Sequence, residues 1–269
     1  MQRLFKLRAM RCRKCGKVRK GKKKEKKEKK EKKEKKEKKE KKEKKEKKEK
    51  KEKKEKKEKK EKKEKKEKNM LEDFVRRARD ENESVGDETF EGELIKGGDF
   101  SQIEFERVQF VKCRFERANF EHAAFYQSKF VNCDFSNCVF TGSYWKKTQI
   151  AGSKGNGGRF GESCFKECGL SESSFDYADF SRSSWESCTI DGCRFRETFC
   201  SEAKLKKMKL KEVDFSRADF FKTPLKGLDF SACIIDGIQL SEHLNELRGM
   251  KIGAEQALAL VRLLGVETA

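Results

Sequence analysis

Phenylalanine stands at every fifth position from Phe100 to Phe140, through the stretch FSQIEFERVQFVKCRFERANFEHAAFYQSKFVNCDFSNCVF. Neither regular element can bury that spacing. Five residues advance a helix by about 500°, so successive rings would spiral around it and share no face. In a strand the same spacing flips each ring to the opposite side. A short extended piece followed by a bend, repeated every five residues, brings each ring back to the inside. A chain built this way winds into coils that stack as a solenoid. The phase runs from Phe90 to Leu240, and nearly every central position is Phe, Leu, Ile or Trp, with Gly155 and Cys200 as the exceptions. Two residues before each centre the side chain is small, as at Cys113, Ala118, Ala123, Ser128, Cys133 and Cys138. That is a second inward position, in a place too narrow for a large group.

This pattern resembles the pentapeptide-repeat family. The resemblance implies an all-β fold, a right-handed quadrilateral β-helix in which four repeats close one square coil. It covers residues 90–242. Residues twenty apart then stack in ladders about 4.8 Å per step. One ladder is Phe105, Phe125, Trp145, Phe165, Trp185, Leu205 and Leu225. Another is Phe115, Phe135, Gly155, Phe175, Phe195 and Phe215, in which Gly155 is expected to leave a hole, its run AGSKGNGGR being either a degenerate repeat or a small outward loop that replaces one. At the second gap, Phe199 is expected to turn inward beside Cys200 through a local bulge. Seven of the eleven cysteines occupy the small inward position, and as small apolar fillers they are expected to be reduced. Stacking sets Cys113 beneath Cys133 and Cys168 beneath Cys188, a spacing that permits a disulfide without requiring one.

The composition is that of two unlike pieces. Residues 1–68 hold 41 of the 69 Lys and Arg but only 15 of the 48 Asp and Glu, a charge of +26; the rest of the chain carries −5. The net +21 is therefore a property of the leader and tail. Residues 22–68 repeat Lys-Lys-Glu with no apolar residue, so they cannot form a core. They read as a solvated, partly helical basic arm able to hold nucleic acid non-specifically, or as a simple-sequence expansion. Ahead of them Cys12 and Cys15 form a Cys-x-x-Cys knuckle, half of a zinc site with no second pair at ribbon spacing, so no metal is expected. No signal-peptide-like or membrane-spanning apolar run is present, and the expected location is cytoplasmic, with no membrane contact.

Short helices are expected at both ends of the solenoid. In residues 69–89, Asn69 and Glu72 have capping-box spacing, and Leu71, Phe74, Val75 and Ala78 share a helical stripe that could cover the first coil. In residues 243–269, Ala257, Leu260, Val261 and Leu264 form a second stripe. No nucleophile–base pair, phosphate loop or deep pocket is indicated, His122 and His243 stand alone, and neither an enzymatic activity nor a cofactor is expected.

One face of the square carries Asp99, Glu121, Glu162, Asp179, Glu202, Asp219 and Glu242 and is net acidic. The Trp ladder's face carries Lys146, Lys147, Lys166, Lys204, Lys206, Lys207 and Lys226 and is net basic. An acidic stripe on a narrow rod could imitate the phosphate rows of a duplex, or could be charge scattered for solubility. The segment LKGLDFS followed by a terminal LRGMKIGAEQALALVRLLG resembles Qnr-type quinolone-resistance proteins, particularly their chromosomal Gram-positive branch. That resemblance implies a DNA-mimicking protein that binds DNA gyrase or topoisomerase IV and protects them from quinolones. It also implies a homodimer through the C-terminal ends, here Leu260, Val261 and Leu264. The other reading of the same residues is a structural or adaptor solenoid for an unrelated protein partner.

Overall fold

The computed structural model describes residues 70–263 and Val266, together with Lys48, Lys50, Lys51, Lys53 and Lys54, whose backbone is helical. The basic tract and the rest of the chain form two separate units, divided between Glu64 and Lys65. Asn69, Cys12, Cys15 and Leu264, singled out above, lie outside the described residues.

The second unit is a parallel β-solenoid with a strict register of twenty. Phe105 pairs with Phe125, Phe125 with Trp145, Trp145 with Phe165, Phe165 with Trp185, and Trp185 with Leu205. Two of the four faces are seven-stranded parallel sheets with one three-residue strand per coil over most of their length. The other two are held mostly by single bridges, such as Asp134↔Lys154↔Ser174 and Asp179↔Phe199↔Asp219.

The residue types explain which face is which. On the bridge-only faces the position before the central ring is often Asp or Asn, and its side chain accepts the backbone N–H two residues on. Ser101 donates to Asp99, Glu121 to Asn119, Ser136 to Asp134, Ser181 to Asp179, Ser216 to Asp214 and Phe221 to Asp219, at 2.8–3.1 Å. This Asx turn competes with an extended strand and bends the chain locally. In the strands of the sheet faces no Asp or Asn takes that position, which holds residues such as Glu104, Gln109, Ala124, Lys129 and Cys164, and the backbone stays extended. At the corners the residue two after each centre adopts left-handed φ, for example Gln102, Arg107, Lys112 and Tyr177. Each such non-glycine residue costs about 1 kcal/mol, which the buried rings must offset.

Inside, rings stack along the axis and meet edge-on across it. Phe120, Phe140, Phe160 and Phe180 follow one another at 4.8 Å between centroids. Neighbouring ladders touch at steep angles, as between Phe105 and Phe110, at 71°. Both geometries favour the aromatic quadrupole. The small inward slot is filled by Ala, Ser, Thr and Cys, and several of the hydroxyls and thiols donate to the carbonyl 23 residues earlier. Ser128 donates to Phe105, Cys133 to Phe110 and Thr148 to Phe125. Where the next centre is Trp, the slot is Ser, which accepts the indole N–H: Trp145 donates to Ser143 at 2.7 Å and Trp185 to Ser183 at 2.9 Å. Among the described residues every buried side-chain N and O has a partner.

The two expected gaps differ from each other. The run around Gly155 is a degenerate repeat kept in register, without an outward loop, and the glycine leaves no hole. Lys154 stays bridged to both neighbouring coils. Phe135 and Phe175 lean together across the glycine, with centroids 6.2 Å apart. At Cys200 there is no bulge: Phe199 points outward and is 51% exposed, while Cys200 is buried. The missing ring there leaves an apolar cavity of about 30 Å³ bounded by Phe180, Cys200, Phe215 and Phe220 among others.

Both ends are capped. Helix α1 (Met70–Glu81) buries Leu71, Val75 and Ala78. Its Phe74 meets Phe90 of the first coil edge-on at 5.7 Å. Helix α2 (Ala254–Leu263) is tethered by Gln256, whose side chain donates to the carbonyls of Ser231 and Cys233.

Candidate binding surface

The seven acidic residues fall into three columns of one face, and their chemistry divides them. Asp99, Asp179 and Asp219 occupy the position before the ring, so one oxygen of each is committed to its Asx turn. Asp219 also accepts from Ser201 Oγ at 2.8 Å. Asp99 is ion-paired to Arg79 of α1 at 3.3 Å. Burial works upward on the Asp99 carboxyl, but hydrogen bonds from Ser101 and the Arg79 charge outweigh it and leave it below the ordinary value.

Glu162, Glu202 and Glu242 share the corner column. Arg182 neutralises Glu162 at 2.7 Å, and Lys222 lies 4.0 Å from Glu202. Glu121 stands in the third column. Among the described residues, neither Glu121 nor Glu242 has an ion-pair partner. The face is therefore acidic in count but partly self-neutralised, and its aspartates build turns as well as carrying charge. The turn role was readable in the recurring Asp-Phe-Ser triplets.

The basic face is less compensated. Lys147 reaches Glu167 at 3.8 Å and Lys166 lies over the Tyr144 ring. Among the described residues, no carboxylate lies within ion-pair distance of Lys146, Lys204, Lys206, Lys207 or Lys226.

At the C-terminal end the residues expected to form a dimer seam separate. Leu260 is half-buried and packs against the solenoid core. Val261 is half-buried. Among the described residues, the apolar side chains most open to solvent here are Leu258, 52% exposed, and Val266, 50% exposed, neither of which lay on the expected stripe. Sequence reasoning also missed Glu246. It is buried and accepts from the backbone N–H of Lys222 at 2.8 Å and from Ser241 Oγ at 2.9 Å. Burial pulls its carboxyl up, but these hydrogen bonds prevail and hold it below the ordinary value. Around Glu246 the terminal segment serves as the last coil: Leu225 donates to Glu246 O, Gly227 to Gly249 O and Phe230 to Lys251 O.

The cysteines of the small slot are buried and free. Burial pushes the Cys138 and Cys193 thiols up to about 11 and that of Cys200 to about 12. In the stacked pairs, Cys133 and Cys168 are held far up, first by the hydrogen bond to the neighbouring thiol and then by burial. Among the described residues no cluster of His, Cys, Asp or Glu is arranged to hold a metal ion. Among the same residues, no helix is long and apolar enough to cross a membrane.

The family model for pentapeptide repeats matches eight copies, within residues 103–142 and 200–237. No curated protein is significantly similar to the chain. Among solved structures, trypsin-treated QnrB1, a plasmid-mediated fluoroquinolone resistance protein, is similar at 21% identity and TM-score 0.43, over 69% of this chain and 92% of that one. HetL, a pentapeptide-repeat protein involved in heterocyst differentiation regulation in the cyanobacterium Nostoc, is similar at 13% identity and TM-score 0.45, over 66% of this chain and 90% of that one.

Proposed function

For this chain, a pentapeptide-repeat protein, we propose a non-enzymatic binding role: a Qnr-like rod of the Gram-positive type that engages DNA gyrase or topoisomerase IV in the cytoplasm and protects it from quinolones. One observation carries the reading. The LKGLDFS coil and the start of the terminal LRG segment join as a single closing unit, Leu225, Gly227 and Phe230 donating to the carbonyls of Glu246, Gly249 and Lys251 just ahead of α2. The acidic face supplies the surface, and homodimerisation through the C-terminal ends would extend it. With Leu260 turned to the core, that contact centres on Val261 and its exposed neighbour Leu258.

The test is gyrase supercoiling in the presence of ciprofloxacin, with a pull-down across a salt series. Charge removal must spare the turns. Asp179→Asn and Asp219→Asn keep the hydrogen-bonding oxygen that Asn119 already supplies in the same column, and Glu202→Gln removes a corner charge that forms no turn. Binding unchanged in this triple variant removes the acidic face from the mechanism. Absence of gyrase and topoisomerase IV binding by the intact protein removes the reading. The ion pairs that neutralise Glu162 and Glu202 favour a second reading, an adaptor solenoid for an unrelated protein partner, and that reading stands if the first fails.

A further inference from the structure

Two faces of the solenoid lose their hydrogen-bond ladder at one place. Up to the strands Lys204–Lys206 and Lys209–Lys211 each coil is bonded to the one before it. These strands end their sheets. The next coil bonds onward to the terminal segment through Leu225, Gly227 and Phe230, but its residues 224–231 make no backbone hydrogen bond to residues 203–212. Pro224, the chain's only proline, stands where the repeat would donate an N–H to Ala203 O, as Lys204 donates to Ser183 O one coil earlier. Asp229 folds the second face into an Asx turn with Ser231 at 2.9 Å, where the coils before it have a strand. Among the described residues, the N–H groups of Leu205, Lys207, Leu210 and Glu212, and the carbonyls of Ala203 and Met208, have no backbone partners.

The side chains at this edge differ from those of every coil before it. Leu205, Met208 and Leu210 are half-buried and line the cavity beside Cys200, while their counterparts Trp185, Cys188 and Ile190 are buried. Lysines flank them. Lys211 is paired with Asp191 and Glu212, but Lys204, Lys206, Lys207 and Lys209 have no acidic partner among the described residues.

We propose that this edge is a docking site for an acidic peptide of a partner protein, added as short strand segments along Lys204–Lys206 and Lys209–Lys211 and turning at Lys207 as the coil itself does. Backbone donors in strand register give the pairing, half-buried Leu205, Met208 and Leu210 give apolar seats, and four unpaired lysines select acidic residues. Charge alone would serve a nucleic acid as well. The open backbone groups and apolar seats favour a polypeptide, because a duplex uses neither. This site is separate from the acidic face of the gyrase reading, so either can fail alone.

The test is fluorescence anisotropy of the full chain with a labelled peptide of alternating Glu and Val. The basic tract adds a background common to all variants, so the signal is what N-methylating alternate peptide amides removes. That change leaves charge intact and blocks strand pairing. The expected loss is at least tenfold. Lys206→Glu with Lys209→Glu should cause a similar loss, with the melting transition retained. Pro224→Val, which restores the missing donor, should close the ladder and weaken binding likewise. Equal affinity for methylated and unmethylated peptide overturns the proposal, and that comparison requires no variant to fold. Loss of duplex DNA binding, rather than peptide binding, in the lysine variant also overturns it and assigns the edge to nucleic acid.

Discussion

Gly155→Ala should destabilise the solenoid, although glycine-to-alanine changes in extended backbone usually do the opposite. The φ at Gly155 is not in the left-handed region, so the backbone accepts alanine and the unfolded chain loses entropy, a gain of about 0.4–1 kcal/mol. Had Gly155 left a hole, a methyl group would fill it and add roughly 0.8 kcal/mol more. The structure places the new Cβ 2.6 Å from Cε2 of Phe135 and 2.8 Å from Cδ1 and Cε1 of Phe175. Those distances are far inside carbon contact, and both rings are themselves held, Phe135 edge-on by Phe130 and Phe140 and Phe175 stacked on Phe195. Overpacking of this kind costs about 1–3 kcal/mol, which exceeds the entropic gain over most of that range. Urea unfolding should show a lower midpoint with an unchanged slope. Trimming the obstruction with Phe175→Leu in the Gly155→Ala background should recover part of the loss relative to the sum of the two single changes. Cys200→Leu is the counterpart with the opposite sign. It enters the 30 Å³ cavity that the absent ring leaves and should stabilise by about 1 kcal/mol. A raised midpoint in Gly155→Ala would refute the packing argument.

Asp179→Ala should cost about 1 kcal/mol through loss of the Asx hydrogen bond, while Asp179→Asn should be nearly neutral; the difference in melting temperature separates turn from charge. Glu93, buried beneath α1, has its carboxyl pushed up to about 7 from the ordinary 4.5, chiefly by burial; a hydrogen bond from Leu71 N–H works against the shift and the nearby Glu72 charge adds to it. The folded state therefore holds a proton that the unfolded chain has lost. Stability should fall as pH rises from about 4.5 to about 7 and level off above, and Glu93→Gln should flatten that slope in melting curves. In native labelling with a thiol reagent, Cys164, half-exposed, should react ahead of Cys113, Cys133, Cys168 and Cys188, which should titrate only after denaturation. A pair that does not titrate until a reductant is added would contradict the free thiols.

The ladders were legible because a period of five leaves one solution, and Phe105 through Leu205 stack as the spacing requires. The fate of the gaps was not. Whether a missing ring becomes a cavity depends on the torsions of rings twenty residues away, which converge at Gly155 and do not at Cys200. Asp99, Asp179 and Asp219 were visible as charge but were not read as turn formers, though the Asp-Phe-Ser grammar is local. Glu246 was beyond reach from sequence, since its partners Lys222 and Ser241 meet it only once the terminal segment folds back. The same fold-back turns Leu260 toward the core, which no helical stripe can indicate.

The register of twenty also sets how the chain comes to be folded. Every rung of every ladder joins residues about twenty apart, a relative contact order of roughly 0.1 for this unit, in the range of helical bundles and well below most β proteins. A chain leaving the ribosome can complete each square as soon as its last corner emerges, with α1 already seated on the first. The rungs that join residues 225–230 to 246–251 come after the others, once the segment beyond the last coil has emerged and folded back. The solenoid can thus be assembled by accretion, each coil templating the next.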